Sequence, residues 1–257
     1  MDKSLRHTFI KTNGINLHVL QDGPESGPLV ILLHGFPEFW WGWRGQIEPI
    51  AQAGFRILIP DQRGYNLSDK PKGVNAYRVS TLAADVAGLM DAMGHEKTFL
   101  VGHDWGAAVA WEVAIRYPQR LEKLGILNVP HPDIMQKFLL SNMHQVRKSW
   151  YIFFFQIPNF PEWSMSRNNY ASLRRMMKGS GKAGTFDTSD LDEYVKAWSQ
   201  SGALTAMVNW YRAAFRSAVY GPWNPNRITL RRVSVPALVN VGEEGCCIEL
   251  RNGPAKH

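Results

Sequence analysis

Five residues constrain this chain's architecture more than any other stretch: Gly102-His103-Asp104-Trp105-Gly106. Before them stands an apolar run with strand character, Thr98-Phe99-Leu100-Val101, and after them a helical pattern over residues 107–117, closed by Pro118. Glycines flanking one central side chain let a strand turn sharply into a helix, because neither flank adds a Cβ to a crowded corner. The rest of the first half repeats the same alternation. Leu29-Val30-Ile31-Leu32-Leu33 and residues 55–59 and 124–127 read as strands, while Leu82, Val86, Leu89, Met90 and Met93 recur at helical spacing before Gly94 as a stop. Strands alternating with helices predict an α/β fold, a mostly parallel sheet with helices on both faces.

The alternation breaks at Asn128-Val129-Pro130-His131-Pro132, and strand character returns only over residues 235–241. What lies between is aromatic, polar and helical in pattern, with a flexible loop predicted over residues 178–184. The expected organisation is a core over residues 1–130, a helical lid over 131–226 and a second, incomplete core piece with an aberrant tail over 227–257. A helical insertion between strands of an open parallel sheet covers the crevice at the strand C-termini.

Composition narrows the function classes. The formal charge of +7 is spread along the chain, with only short basic pairs at Arg174-Arg175 and Arg231-Arg232, so no nucleic-acid partner is expected. No apolar run approaches the roughly 18 residues of a membrane span, and Met1-Asp2-Lys3-Ser4-Leu5-Arg6 leads into no signal-peptide core, which predicts a cytoplasmic protein. Cys246 and Cys247 are neighbours and cannot cross-link distant parts of a fold. The aromatic residues gather in Phe39-Trp40-Trp41-Gly42-Trp43 and Trp150-Tyr151-Ile152-Phe153-Phe154-Phe155, as the lining of an apolar pocket would.

The chemistry follows from what stands on the turn. With Asp104 at its centre the attacking group is a carboxylate, which needs no deprotonation and suits displacement at an alkyl carbon, leaving an ester for water to cleave. His34-Gly35-Phe36-Pro37 directly follows a strand, so the backbone N–H groups of Phe36 and Trp105 are candidates for an oxyanion hole, with His34 bracing the loop. In Asp61-Gln62-Arg63-Gly64 an Asp–Arg pair is expected to hold the loop together.

Taken together, His34-Gly35-Phe36-Pro37-Glu38, Asp61-Gln62-Arg63-Gly64-Tyr65-Asn66-Leu67-Ser68 and Gly102-His103-Asp104-Trp105-Gly106-Ala107 resemble the epoxide hydrolases of the α/β-hydrolase superfamily, close relatives of the haloalkane dehalogenases. The resemblance runs to about Gly242 and implies the α/β-hydrolase fold. It implies that Asp104 attacks an epoxide carbon while two lid tyrosines, matched here by Tyr151 and Tyr211, polarise and protonate the oxygen. The expected partners are a small apolar epoxide and water, with no metal and no cofactor. A haloalkane or haloacid dehalogenase is the alternative enzyme, and a non-catalytic protein binding apolar ligands is the alternative from another class. Glu38 after Pro37 favours the epoxide reading.

The resemblance also implies an acid in a Gly-Glu-x-Asp context and a histidine near the C-terminus. Here Gly242-Glu243-Glu244 is followed by Gly245, and His257 is merely the last residue; Asn128 and Asp133 stand where some relatives carry the acid instead. The sequence therefore predicts that the last strand and helix are missing, that the strand over 235–241 has a bare apolar edge, and that turnover is impaired by loss of the histidine. A one-nucleotide slip near Glu244 accounts for such a tail, since the codons read one base later permit Gly-Glu-Lys-Asp. Resequencing that returns the present frame, with neither alternative frame encoding the Asp and a downstream His, would reject the slip.

Overall fold

The computed structural model describes residues 5–135, 150–182, 184–220, 231–240 and 247–250. Its sheet opens with a hairpin, β1 (Arg6–Thr12) against β2 (Ile15–Asp22). Asn13 and Gly14 both have positive φ (43° and 78°), as a tight two-residue hairpin turn requires. The sequence reading, which starts the sheet at residue 29, misses this hairpin. The reason is that β1 is an edge strand with polar and charged positions and an exposed Phe9, so its alternation carries little hydrophobic signal.

From there the chain alternates: β3 (Leu29–Leu33), α1 (Arg44–Gln52), β4 (Arg56–Pro60), α2 (Val79–Ala92), β5 (Thr98–His103), α3 (Trp105–Arg116) and β6 (Leu121–Leu127). Among the described residues four helices then intervene, α4 (Trp150–Phe154), α5 (Phe160–Ser180), α6 (Thr188–Trp198) and α7 (Ala203–Tyr220), before β7 (Ala237–Asn240) and β8 (Cys247–Leu250). The spatial order is β1-β2-β4-β3-β5-β6-β7-β8. The run from β4 to β7 is parallel, and β1, β2 and β8 are antiparallel to their neighbours. All five residues of β3 are buried, as expected of a strand covered on both faces, and each such side chain contributes about 1.5–3 kcal/mol.

Three expectations are corrected. The outer edge of β7 is not bare, because residues 247–250 pair with it antiparallel, Ala237 opposite Leu250 through Asn240 opposite Cys247. A connection of six residues can close a hairpin but cannot make the crossover a parallel strand needs. The loop expected from residue 178 starts later, since Lys178 to Ser180 complete α5. That helix breaks instead at Asn168, Asn169 and Tyr170, which have left-handed φ values of 50°, 52° and 57°.

The third correction concerns Asp61 and Arg63, which do not pair with each other. Asp61 receives His18 Nδ1 at 2.6 Å, the Trp40 N–H at 3.0 Å and the Asn66 amide at 2.7 Å. Arg63 instead forms a bidentate bond with Asp85 on α2, at 2.6 and 2.7 Å, and Asn13 from the hairpin turn donates to the same carboxylate. Asp61 is thereby tied to β2 and Arg63 to α2, so each finds its own buried partner.

Candidate active site

β3 and β5 lie side by side in parallel, with Leu33 opposite Gly102. That register delivers the loop after β3 to the turn after β5. A Cβ built on Gly35 would stand 2.5 Å from Cβ of Asp104, one on Gly102 2.3 Å from the Gly106 carbonyl oxygen, and one on Gly106 2.3 Å from the Leu33 carbonyl oxygen. The glycines of the motif are thus required by close backbone approach, which sequence spacing implies but does not demonstrate. Gly106→Ala must displace backbone, and a loss of about 1–3 kcal/mol is expected from such overpacking. A urea-denaturation midpoint equal to that of the unsubstituted chain would show that the turn has room after all.

Asp104 itself has φ 50°, a strained value for a non-glycine residue. Its carboxylate accepts the Phe36 N–H at 2.9 Å, and the Trp105 N–H lies close enough to help lower its pKa. Burial pushes the Asp104 pKa up; those two N–H groups and the nearby His103 pull it back, and the net result lies above the ordinary carboxylate value. His34 is fully buried, accepts the Gln62 N–H on Nε2 at 3.0 Å, and packs edge-on against Tyr65. Burial lowers its pKa, so it stays neutral.

Tyr211 on α7 is brought directly over this corner. Its ring meets Trp105 at 5.0 Å, Phe36 at 5.2 Å and Phe155 at 4.7 Å between centroids. Tyr151 on α4 joins it at 5.9 Å and is partly exposed. Both phenols have raised pKa values, first through burial and then through the negative charge of Asp104, Tyr211 the more strongly. At neutral pH both therefore carry their protons and can donate to a polar oxygen placed between them.

Four further residues belong to this corner, and sequence reasoning did not connect them. Glu38 receives His103 Nδ1 at 3.2 Å, and the Tyr194 hydroxyl donates to it at 3.4 Å. Burial disfavours the His103 cation, but the hydrogen bond and charge of Glu38 outweigh it and raise the pKa; Glu38 is lowered correspondingly, against its own burial. Tyr65 is buried with no hydrogen-bond partner for its hydroxyl among the described residues, and burial together with the charges of Asp104 and Glu38 raises its pKa strongly. No local signal could have joined these residues, because Glu38, Tyr65, His103 and Tyr194 come from four separate segments.

The helices are tied over the corner at several points. Trp198 Nε1 donates to the Pro37 carbonyl at 2.6 Å, Trp210 Nε1 to the Arg63 carbonyl at 3.0 Å, and Arg44 pairs with Asp190 at 2.9 Å. Among the described residues no cluster of three His, Cys, Asp or Glu side chains is placed to hold a metal ion, and no helix is long and apolar enough to cross a membrane.

Comparison with known proteins agrees with this geometry. The family described as alpha/beta hydrolase fold matches residues 28–239. AB hydrolase superfamily protein YfhM of Bacillus subtilis (strain 168) is 51% identical over 205 residues, 80% of this chain and 72% of that protein. Epoxide hydrolase 4 of Mus musculus is 37% identical over 94% of this chain and 66% of its own length. A Bacillus megaterium epoxide hydrolase, solved in complex with an inhibitor, superposes with a TM-score of 0.75 at 36% identity, covering 80% of this chain and 71% of that one. Among the first curated relatives the chain spans between 53% and 72% of the relative's length. Strand order, the Asp-bearing turn and these similarities converge on one assignment: the chain belongs to the epoxide hydrolases of the α/β-hydrolase superfamily.

Proposed function

We propose that this chain opens small apolar epoxides through an ester on Asp104, with α4 to α7 acting as the lid over the reacting atoms. The observation that carries the reading is that one corner unites a carboxylate, the Phe36 N–H bonded to it, the Trp105 N–H beside it and two protonated phenols. In the first half-reaction an oxygen of Asp104 attacks an epoxide carbon as the C–O bond breaks, and Tyr211 or Tyr151 gives its proton to the departing alkoxide. In the second, water adds to the ester carbonyl of Asp104 with the oxyanion facing the Phe36 and Trp105 N–H groups; collapse breaks the bond from the acyl carbon to the substrate oxygen, releasing the diol and the Asp104 carboxylate, and the remaining proton of the water returns to the tyrosine. The aromatic walls, Phe36, Trp105, Phe155 and Trp210, favour substrates with an aryl or other bulky apolar group. The second half-reaction needs a base for the water, and the described residue next to Asp104 that is suited by its carboxylate partner is His103, held by Glu38. The chemistry requires no metal or organic cofactor, and a cytoplasmic location goes with this reading.

Intact-protein mass spectrometry after incubation with an aryl-substituted epoxide tests it: one substrate mass should appear on the chain, mapped to Asp104, or the diol should accumulate. Tyr151→Phe combined with Tyr211→Phe should slow alkylation by about 10²–10⁴-fold, the usual worth of general-acid assistance, while leaving the circular dichroism unchanged. Unaltered alkylation by this double variant would remove the phenols from the mechanism. Halide release from a matched haloalkane, without reaction of the epoxide, would move the assignment to a dehalogenase. Reversible binding of the epoxide without either outcome would mark a non-catalytic binding protein.

A further inference from the structure

The inserted helices carry a second aromatic cluster that is open to solvent. Trp150, Phe153, Ile157, Phe160 and Trp163 are 46–63% exposed, although all are large and apolar. Ring contacts make the cluster continuous: Trp150 meets Phe154 at 5.8 Å, Phe154 meets Phe160 at 5.8 Å, and Phe160 stacks on Trp163 at 5.5 Å. Phe153 extends it to Phe215 on α7, also at 5.8 Å. Single exposed apolar residues are ordinary, but a contiguous exposed group marks a surface meant to be covered.

The charge around it says by what. The Arg167 guanidinium stands 5.1 Å from the Trp163 ring, and Arg216, which is exposed, follows Phe215 in sequence on α7. Helices α4, α5 and α7 together contain one carboxylate, Glu162, and Arg212 holds it at 2.6 Å. The exposed rings therefore have a guanidinium against Trp163, and these three helices bring no free carboxylate to them.

We propose that this face docks the protein onto an anionic lipid bilayer. Trp and Phe rings settle at the level of the headgroups, while Arg and Lys reach the lipid phosphates and respond to the negative surface potential. Docking is peripheral, with the helices lying along the surface. A second copy is a poorer occupant: a two-fold contact through this face would bury Arg167 and Arg216 of both copies against helices that bring no free carboxylate to answer them. Tyr151 lies on α4 between Trp150 and Phe153, so the docked face adjoins the site; delivery of an apolar epoxide from the bilayer rests on the function proposed above, whereas docking itself does not.

Flotation of the full chain with vesicles decides the matter. It should float with phosphatidylcholine vesicles containing about 30% phosphatidylglycerol, fail to float with pure phosphatidylcholine, and be released as salt rises. Phe160→Ser with Trp163→Ser, and separately Arg167→Glu with Arg216→Glu, should each weaken binding about tenfold or more, since each basic residue near the surface is worth several-fold. All four side chains are on the surface, and circular dichroism verifies the fold of each variant. Acyl-chain-brominated phosphatidylglycerol should quench tryptophan fluorescence, less so in Trp163→Phe. No flotation with anionic vesicles, flotation indifferent to both double variants, or a dimer that the variants dissociate in the absence of lipid would each overturn the proposal.

Discussion

Asp104→Asn is expected to abolish alkylation and, at the same time, to make the protein more stable. An amide oxygen is a far poorer nucleophile than a carboxylate, and removal of a nucleophile costs up to about 10⁶-fold in rate. The gain in stability comes from charge. Because burial raises the Asp104 pKa above its ordinary value, the native state binds that proton more tightly than the unfolded chain does. The stabilisation by the protonated form is complete below the ordinary carboxylate pKa and is lost as pH rises through the raised value, so at neutral pH the ionised side chain is a net burden. Asparagine keeps an oxygen for the Phe36 N–H and carries no charge to bury. Its urea midpoint should exceed that of the unsubstituted chain at pH 7, and the difference should shrink as pH falls toward the unfolded-state value. An Asp104→Asn protein less stable at pH 7 would show that the two N–H groups more than compensate the burial. Adduct formation by the unsubstituted chain follows the same ionisation: it should fade as pH drops through a value above the ordinary carboxylate range.

The largest stability effect is expected at Asp85. This carboxylate and Arg63 are both buried and bonded in bidentate fashion, with Asn13 on the same carboxylate and Thr12 Oγ1 on the Asp85 carbonyl at 2.9 Å. Burial raises the Asp85 pKa, and the bonds from Arg63 only partly offset this. The pair as a whole is therefore a weak stabiliser, but half of it is worse than none. Asp85→Ala strands a buried guanidinium and should cost about 3–5 kcal/mol, against a typical total of about 5–15 kcal/mol. Arg63→Met together with Asp85→Leu should recover most of that loss, as apolar replacement of buried pairs commonly does. Denaturation midpoints of the single and double variants measure both. If Asp85→Ala unfolds no more easily than a surface substitution, the guanidinium has found another partner or water. The effect should reach the site, because the Arg63 carbonyl receives Trp210 Nε1, one residue before Tyr211. Loosening this loop frees the helix that positions a phenol.

Residues close together in sequence carried most of what could be read in advance. The strand-turn-helix around Asp104, the alternation of β3 through β6 and the helical character of the insertion are encoded in periods of two and of 3.6, and a glycine's lack of a Cβ is visible in the letters themselves. Family resemblance then matched Tyr151 and Tyr211 to roles that periodicity could not supply. What only the tertiary structure decided is who meets whom. Periodicity fixes which face of an element is apolar but not its neighbour, and the neighbour depends on the strand order β4-β3-β5, in which β3 is inserted between two strands that follow it in sequence. That order sets Phe36 on Asp104 and Glu38 on His103. It also sends Arg63 to Asp85 rather than to Asp61, two residues away, and leaves Asp61 to His18 on a hairpin with too weak an apolar pattern to be seen. At the other edge, a tail without periodicity became a strand because β7 offered it unpaired backbone groups, and edge pairing asks only for backbone.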